Sequence, residues 1–215
     1  MHHVFVTGGT GYIGARLIAA LAARGHRVRA LARSGSVARL SPGCEPVVGD
    51  ALVAASYAAD VPPADTFVQL VGVPHPNPAK AAQFRSIDLA SALAGIEAAA
   101  EAGVRHFVYV SVAQPAPVMR AYVETRAEAE AMLRASGLNA TIVRPWYVLG
   151  PGHRWPYALV PGYWLARAFP PTREMAMRLG LVTVAQMVNA LVAAVENPAS
   201  GVRIVDVPAI RAARG

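Results

Sequence analysis

The 215-residue chain has a single cysteine and a single lysine. Cys44 alone cannot close an internal disulfide, and beside the apolar Val47–Val48 run it reads as a buried, inert thiol in a reducing compartment. No Cys/His spacing of a metal site occurs, so no metal is expected. Lys80 is the one lysine among 20 basic residues, which against 13 acids give a formal charge of +7. The arginines stand singly and form no phosphate-tracking stripe, so the positive balance carries no expectation of nucleic-acid binding. Charged residues make up only 15% of the chain, yet its longest apolar stretch, Ile87 to Val104, is broken by Asp88, Glu97 and Glu101, which argues against a membrane span. Met1 leads through two histidines into a strand-like run without a signal-peptide pattern. These absences lead to the expectation of a cytoplasmic protein with no membrane or nucleic-acid partner.

What is present is 54% hydrophobic residues in a regular alternation, enough for one globular domain over residues 1–215. Short β-branched runs (Val4–Thr7, Arg27–Leu31, Pro46–Val48, Thr66–Val71, His106–Ser111, Ala140–Val143) alternate with helical stretches at Tyr12–Arg24, Ser86–Ala102 and Val118–Ser136. That order predicts an α/β fold, a Rossmann-type doubly wound parallel sheet, whose central strands are apolar throughout because neither face meets water. Gly25, Gly103 and Gly137 are placed to end the helices in left-handed caps. After Arg144 the chain turns rich in Pro, Gly and aromatics. Residues 145–183 are expected to form a small C-terminal cap on the substrate side, followed by a helix at Val184–Glu196, a strand at Val202–Val207 and a frayed end from Arg211.

The strongest motif, Val6-Thr7-Gly8-Gly9-Thr10-Gly11-Tyr12-Ile13-Gly14, lies between the first strand and the first helix. Gly8 allows the tight turn, Gly11 lets backbone approach a pyrophosphate, and Gly14 lets the helix lie close to the strand, while the helix N-terminus offers its positive end. Thr10, Tyr12 and Ile13 complete the candidate phosphate-binding loop. About twenty residues on, where an acid would hold the ribose of NAD(H), stand Arg33 and Ser34, a guanidinium and a hydroxyl suited to a 2′-phosphate. NADP(H) is the favoured cofactor and NAD(H) the alternative. Asp50 and Ala51, after the third strand, are candidates for the adenine, with Asp50 also placed to cap a helix.

In order and spacing, TGGTGYIG, the Gly49-Asp50 pair, FVYVSV at 107–112, AYVETRAEAEAMLRASGL and TIVRPWYVLGPG resemble the short-chain dehydrogenase/reductase superfamily. The likeness is to its atypical, extended-like NAD(P)H-binding members, related to sugar epimerases and the NmrA group. The resemblance implies a catalytic Ser111, Tyr122 and a cation four residues later, which here is Arg126 in place of lysine. Residues four apart share a helix face, so Tyr122 and Arg126 can point at one ligand, and a fixed cation there favours the phenolate, although arginine closes any proton relay. The family pattern further implies that Val71 and Gly72 meet the cofactor ribose and that Pro145, Trp146, Tyr147 and Val148 neighbour its nicotinamide. His75 and His153 are candidate substrate contacts, and Trp155, Trp164 and Phe169 candidate linings of an apolar site. The implied function is an NADP(H)-dependent oxidoreductase or epimerase-like enzyme acting on a small carbonyl or hydroxyl compound, as monomer or homodimer. The alternative is a binding protein, a sensor, regulator or assembly factor, that keeps the glycine loop without turnover.

Overall fold

A computed structural model describes residues 1–151, 174 and 177–214. The main sheet is built from β1 (His3–Thr7), β2 (Arg27–Ala32), β3 (Cys44–Val48), β4 (Thr66–Gln69), β5 (His106–Val110), β6 (Ala140–Val143) and β9 (Val202–Val205). Among the described residues it runs β3-β2-β1-β4-β5-β6-β9, parallel throughout. The order reverses between β1 and β4, and the ends of these two strands open the crevice where ligands bind in such sheets. The expected Rossmann-type sheet is therefore what the chain forms. A second, two-stranded parallel sheet pairs β7 (Tyr147–Leu149) with β8 (Leu181–Thr183), which the Pro- and Gly-rich sequence around them did not announce.

Two cores lie on the two sheet faces. On one, α1 (Tyr12–Ala23) and α5 (Val184–Glu196) bury Leu17, Ile18, Leu21, Met187 and Leu191 against Val4, Val6, Val68 and Val108. On the other, α3 (Ala90–Glu101) and α4 (Arg120–Ala135) cover Phe5, Phe67, Phe107 and Ile142, and the first three rings stack across neighbouring strands at centroid separations of 5.3 and 5.1 Å. Alternate residues of these strands thus serve opposite cores, and the central strands are buried on both faces.

Gly25, Gly103 and Gly137 have φ of +77°, +65° and +76°, the left-handed caps that the sequence called for. Several boundaries differ. The helix expected from Ser86 is preceded by a short α2 (Ala81–Gln83) and a π-helical turn at Phe84–Leu89, which turns Asp88 into the protein interior. The helix expected from Val118 starts at Arg120, after Met119 in a left-handed conformation. β4 stops at Gln69, two residues short of Val71, and edge strand β3 starts at Cys44, which is half-buried and donates its thiol to the Ser41 carbonyl. The end from Arg211 is held, not frayed. Val207–Ala212 forms α6, which buries Val207 and Ile210, and Arg211 donates from Nε and Nη2 to the Leu181 carbonyl at 2.8 and 2.6 Å. Most of the proposed cap, with His153, Trp155, Trp164 and Phe169, lies outside the described residues.

Candidate functional site

The glycine loop joins β1 to α1. Gly8 has φ +74°, and its carbonyl accepts the Gly11 amide at 3.0 Å, which closes the turn. A Cβ on Gly14 would collide with that same carbonyl, so helix and strand approach at a distance only glycine permits. Gly9 serves packing: a Cβ there would meet Ile18, Leu40 and Ala30. Gly11 is exposed, and an added Cβ would touch only the Gly8 carbonyl at 3.1 Å, so its bareness matters to a ligand more than to the fold. α1 has no side-chain cap and no acid in its first turn, so the positive end of its dipole is not offset from within the helix. Arg16 lies 4.1 Å over the Tyr12 ring and bonds the Tyr12 carbonyl, while Thr10 and Ile13 are half-buried.

From this loop a continuous path of contacts crosses the crevice. Gly8 abuts Leu70 and Val71, where a Cβ would meet backbone at 2.9 and 3.0 Å. Gly72 follows, and a Cβ there would strike Nη2 of Arg126. The Arg126 guanidinium lies 5.2 Å from the centroid of the Tyr122 ring, which in turn packs on Phe84. On the other side Tyr12 reaches Gly150, where an added Cβ would strike the tyrosine hydroxyl. Trp146 and Tyr147, half-buried and edge to face at 5.5 Å, stand at the start of β7, and the Pro145 carbonyl accepts the Ala113 amide. Glycine loop, β4 end and α4 face are thereby brought together.

The remaining candidates divide. Arg33 and Ser34 are exposed at the end of β2; the Arg33 carbonyl accepts the Ser36 amide at 2.7 Å, and its guanidinium makes no hydrogen bond or ion pair among the described residues. Asp50 accepts the Leu52 amide at 3.0 Å in an Asx turn, and the helix-capping role expected for it falls to no side chain. Ala51 is half-buried beside it. His75, in the left-handed region at φ +50°, belongs to an exposed Pro74–Pro78 loop whose Pro74 and His75 carbonyls accept from Lys80.

Two carboxylates that sequence reasoning did not single out organise the α4 face. Asp88, wholly buried, accepts from Arg126 Nη2 at 2.6 Å with one oxygen and from the Val73 amide at 2.9 Å with the other. Arg126 Nη1 donates to the Val110 carbonyl at 2.8 Å, and its Nε is buried with no partner among the described residues. Burial opposes the charge on Arg126, but Tyr122, Tyr109 and Asp88 around it outweigh that and raise its pKa. Glu130, one helical turn further along α4, accepts from Ser111 Oγ and Gln114 Nε2 at 2.7 Å each, from Arg134 at 3.0 Å, and from Arg144 through both Nε and Nη2. Burial pushes its carboxyl up, and the bonds from Arg144 and Ser111 more than reverse this and hold it below the ordinary range. The Tyr122 hydroxyl makes no hydrogen bond among the described residues, whereas the Ser111 proton is directed to Glu130. Signals for both acids exist in the sequence: Asp88 interrupts an apolar run, and Glu130 continues the four-residue stripe Tyr122, Arg126.

These parts fit a dinucleotide. Gly11 leaves the outer side of the loop bare at the N-terminus of α1, and the orphaned Nε of Arg126 is a buried donor near Tyr122 with no oxygen to bond.

A parallel sheet in this order, with a glycine turn at its switch point, defines a Rossmann-type nucleotide-binding protein. The profile of the NAD(P)H-binding family matches residues 8–159, and the chain belongs to that family. It is 30% identical over 202 residues to the ceramide reductase of Caulobacter vibrioides, covering 92% of this chain and 62% of that protein. It is 27% identical over 168 residues to the 4-hydroxy-2-methyl-3-oxo-4-farnesyl-3,4-dihydroquinoline-1-oxide ketoreductase of Stigmatella aurantiaca, covering 68% and 50%. This chain thus spans about half to three-fifths of the length of these two relatives. Its fold is that of the extended short-chain dehydrogenase/reductase and epimerase structures. The enzyme WbmH of Bordetella bronchiseptica, solved with NAD+, superposes with a TM-score of 0.71 at 20% identity, over 96% of this chain and 75% of that one. Among the described residues no helix is long and apolar enough to cross a membrane.

Proposed function

We propose that the chain is an NADP(H)-dependent reductase that converts a ketone on an apolar scaffold to the alcohol, or runs the reverse oxidation. The observation that supports this is the path of contacts from the glycine loop through Val71 and Gly72 to the Arg126–Tyr122 pair, where a phenol lies beside a fixed cation. The choice of substrate class rests on the two relatives, both named for compounds that carry long hydrocarbon portions.

Gly8, Gly11 and the first turn of α1 would hold the pyrophosphate, Arg33 and Ser34 the adenosine 2′-phosphate, and Val71–Gly72 and Pro145–Val148 the nicotinamide half. When bound, the cofactor supplies a hydride to the carbonyl carbon. Tyr122 gives its hydroxyl proton to the carbonyl oxygen as the C–O π bond breaks, and the phenolate that remains lies against the Arg126 guanidinium until water reprotonates it. Arg126 contributes fixed charge and moves no proton. Ser111, whose hydroxyl donates to Glu130, would serve the substrate oxygen as donor only after that hydroxyl rotates.

That last feature favours a second reading, a binding protein that senses NADP(H) without consuming it, because both Ser111 and Arg126 spend hydrogen bonds on buried carboxylates. One assay separates the two: NADPH oxidation across long-chain ketones, ceramide-type ketones and quinones, for wild type and Tyr122→Phe. Turnover that the substitution removes, with NADPH affinity kept, supports the reductase; tight NADPH binding without turnover of any ketone supports the sensor.

A further inference from the structure

We infer that Asp88 is a positioning residue for the nicotinamide half of the dinucleotide site. The inference rests on the dinucleotide reading above and adds to it a residue that touches neither ligand nor glycine loop. The carboxylate is wholly buried and its two oxygens face different walls of the crevice. One holds Arg126 of α4 at 2.6 Å, beneath Gly72 and beside Tyr122; the other holds the Val73 amide at 2.9 Å, on the segment leaving β4. One rigid group therefore fixes the separation between the α4 face and the β4 end.

The surroundings make this tie specific. The π-helical turn at Phe84–Leu89 carries Asp88 inward, and Gly72 leaves room for the guanidinium and nothing more. A lysine at 126 would have one short ammonium for the two places that Arg126 reaches with its fork, Asp88 and the Val110 carbonyl. Among the described residues the charged and titratable groups facing the pair are Tyr109 from β5 and Tyr122 from α4, the latter packed on Phe84. Among the described residues no basic group besides Arg126 bonds Asp88. Loss of its charge therefore leaves the guanidinium to the Val110 carbonyl and the weak 3.4 Å contact with the Tyr109 hydroxyl. Among the described residues Asp88 makes no hydrogen bond or ion pair with the glycine loop or Arg33, which meet the β4 end only through the packing of Gly8 on Leu70 and Val71, so the pyrophosphate and adenosine end of the crevice is expected to keep its geometry.

The test uses this division. NADPH and the 2′-phosphorylated ADP fragment that lacks nicotinamide are titrated by calorimetry into wild type and Asp88→Asn. In the cofactor-free proteins, amide hydrogen exchange is followed at Val73 and in the glycine loop. The expected result is roughly tenfold weaker NADPH binding by the variant, fragment binding within about twofold of wild type, and faster exchange at Val73 with the glycine loop unchanged. A general loss of stability would weaken both ligands together. If Asp88→Asn does not fold, Asp88→Glu retains the charge but lengthens the tie by a methylene, and the same split between NADPH and fragment is expected. Wild-type protein that binds neither molecule overturns the dinucleotide reading itself. Wild-type protein that binds both, with the variant altering both equally or neither, overturns the role of Asp88 and leaves that reading standing.

Discussion

At the scale of single residues, the site separates positions that serve the fold from positions that serve a ligand. Gly14 faces the Gly8 carbonyl so closely that Gly14→Ala must push helix from strand, and its cost is expected as a lower melting temperature even without cofactor. Gly11 is exposed, so Gly11→Val is expected to leave the melting temperature of the free protein within a few degrees while abolishing NADPH binding in calorimetry. Arg33, exposed and unpaired, has no structural bond to lose. Arg33→Ala is expected to weaken NADPH about tenfold, the value of one charge-assisted contact, and to spare NADH; equal loss for both dinucleotides would remove the 2′-phosphate from its role. The glycines were legible in the sequence because a Gly-x-x-Gly-x-x-Gly run between strand and helix has few other uses. Asp88 and Glu130 were not, because what makes them matter is burial against partners elsewhere in the chain, Arg126 38 residues from Asp88, and Ser111 and Arg144 19 and 14 residues from Glu130.

At the scale of elements, the C-terminal ends of helices were easier to read than their starts or than strand ends. Val184–Glu196 was expected at the limits observed, and the reason is local: Thr183 accepts the Gln186 amide at 3.2 Å while Gln186 Oε1 accepts the Thr183 amide at 2.9 Å, a reciprocal capping box. Thr183→Ala is expected to cost about 1 kcal/mol in urea denaturation, and Thr183→Ser to restore most of it. β4 ended two residues early because pairing, not composition, decides where a strand stops: Gln69 still pairs with Thr7 and Tyr109, whereas Val71 and Gly72 turn away toward Gly8 and Arg126. β7 and β8 escaped notice because three residues each, far apart in the chain, leave no periodicity to detect. The π-helical turn before α3 likewise has no signature in a run of ordinary helix formers.

At the scale of the whole molecule, stability is tied to pH through a histidine remote from the crevice. His106 opens β5 wholly buried, and burial, with Arg203 nearby, lowers its pKa to about 4. The unfolded chain takes up this proton near the ordinary histidine value of about 6.5 and the folded chain only near 4, so the unfolded state binds more protons between those limits and stability falls as the pH drops through that window. The urea midpoint is expected to decline from pH 6.5 to 4, by on the order of 2 kcal/mol in unfolding free energy from this group, and His106→Gln to flatten that part of the curve. The sheet order has a further consequence, for the growing chain. β1 pairs with β2 early, but its other edge waits for β4, since Val4 lies opposite Thr66, and β6 likewise waits for β9, with Ala140 opposite Val202. At about 5–20 residues per second, β1 and β6 each spend about 3–12 s of synthesis with one row of amides and carbonyls bare. β1 and β6, buried in the finished protein, are thus open to mispairing along one edge while the chain is being made.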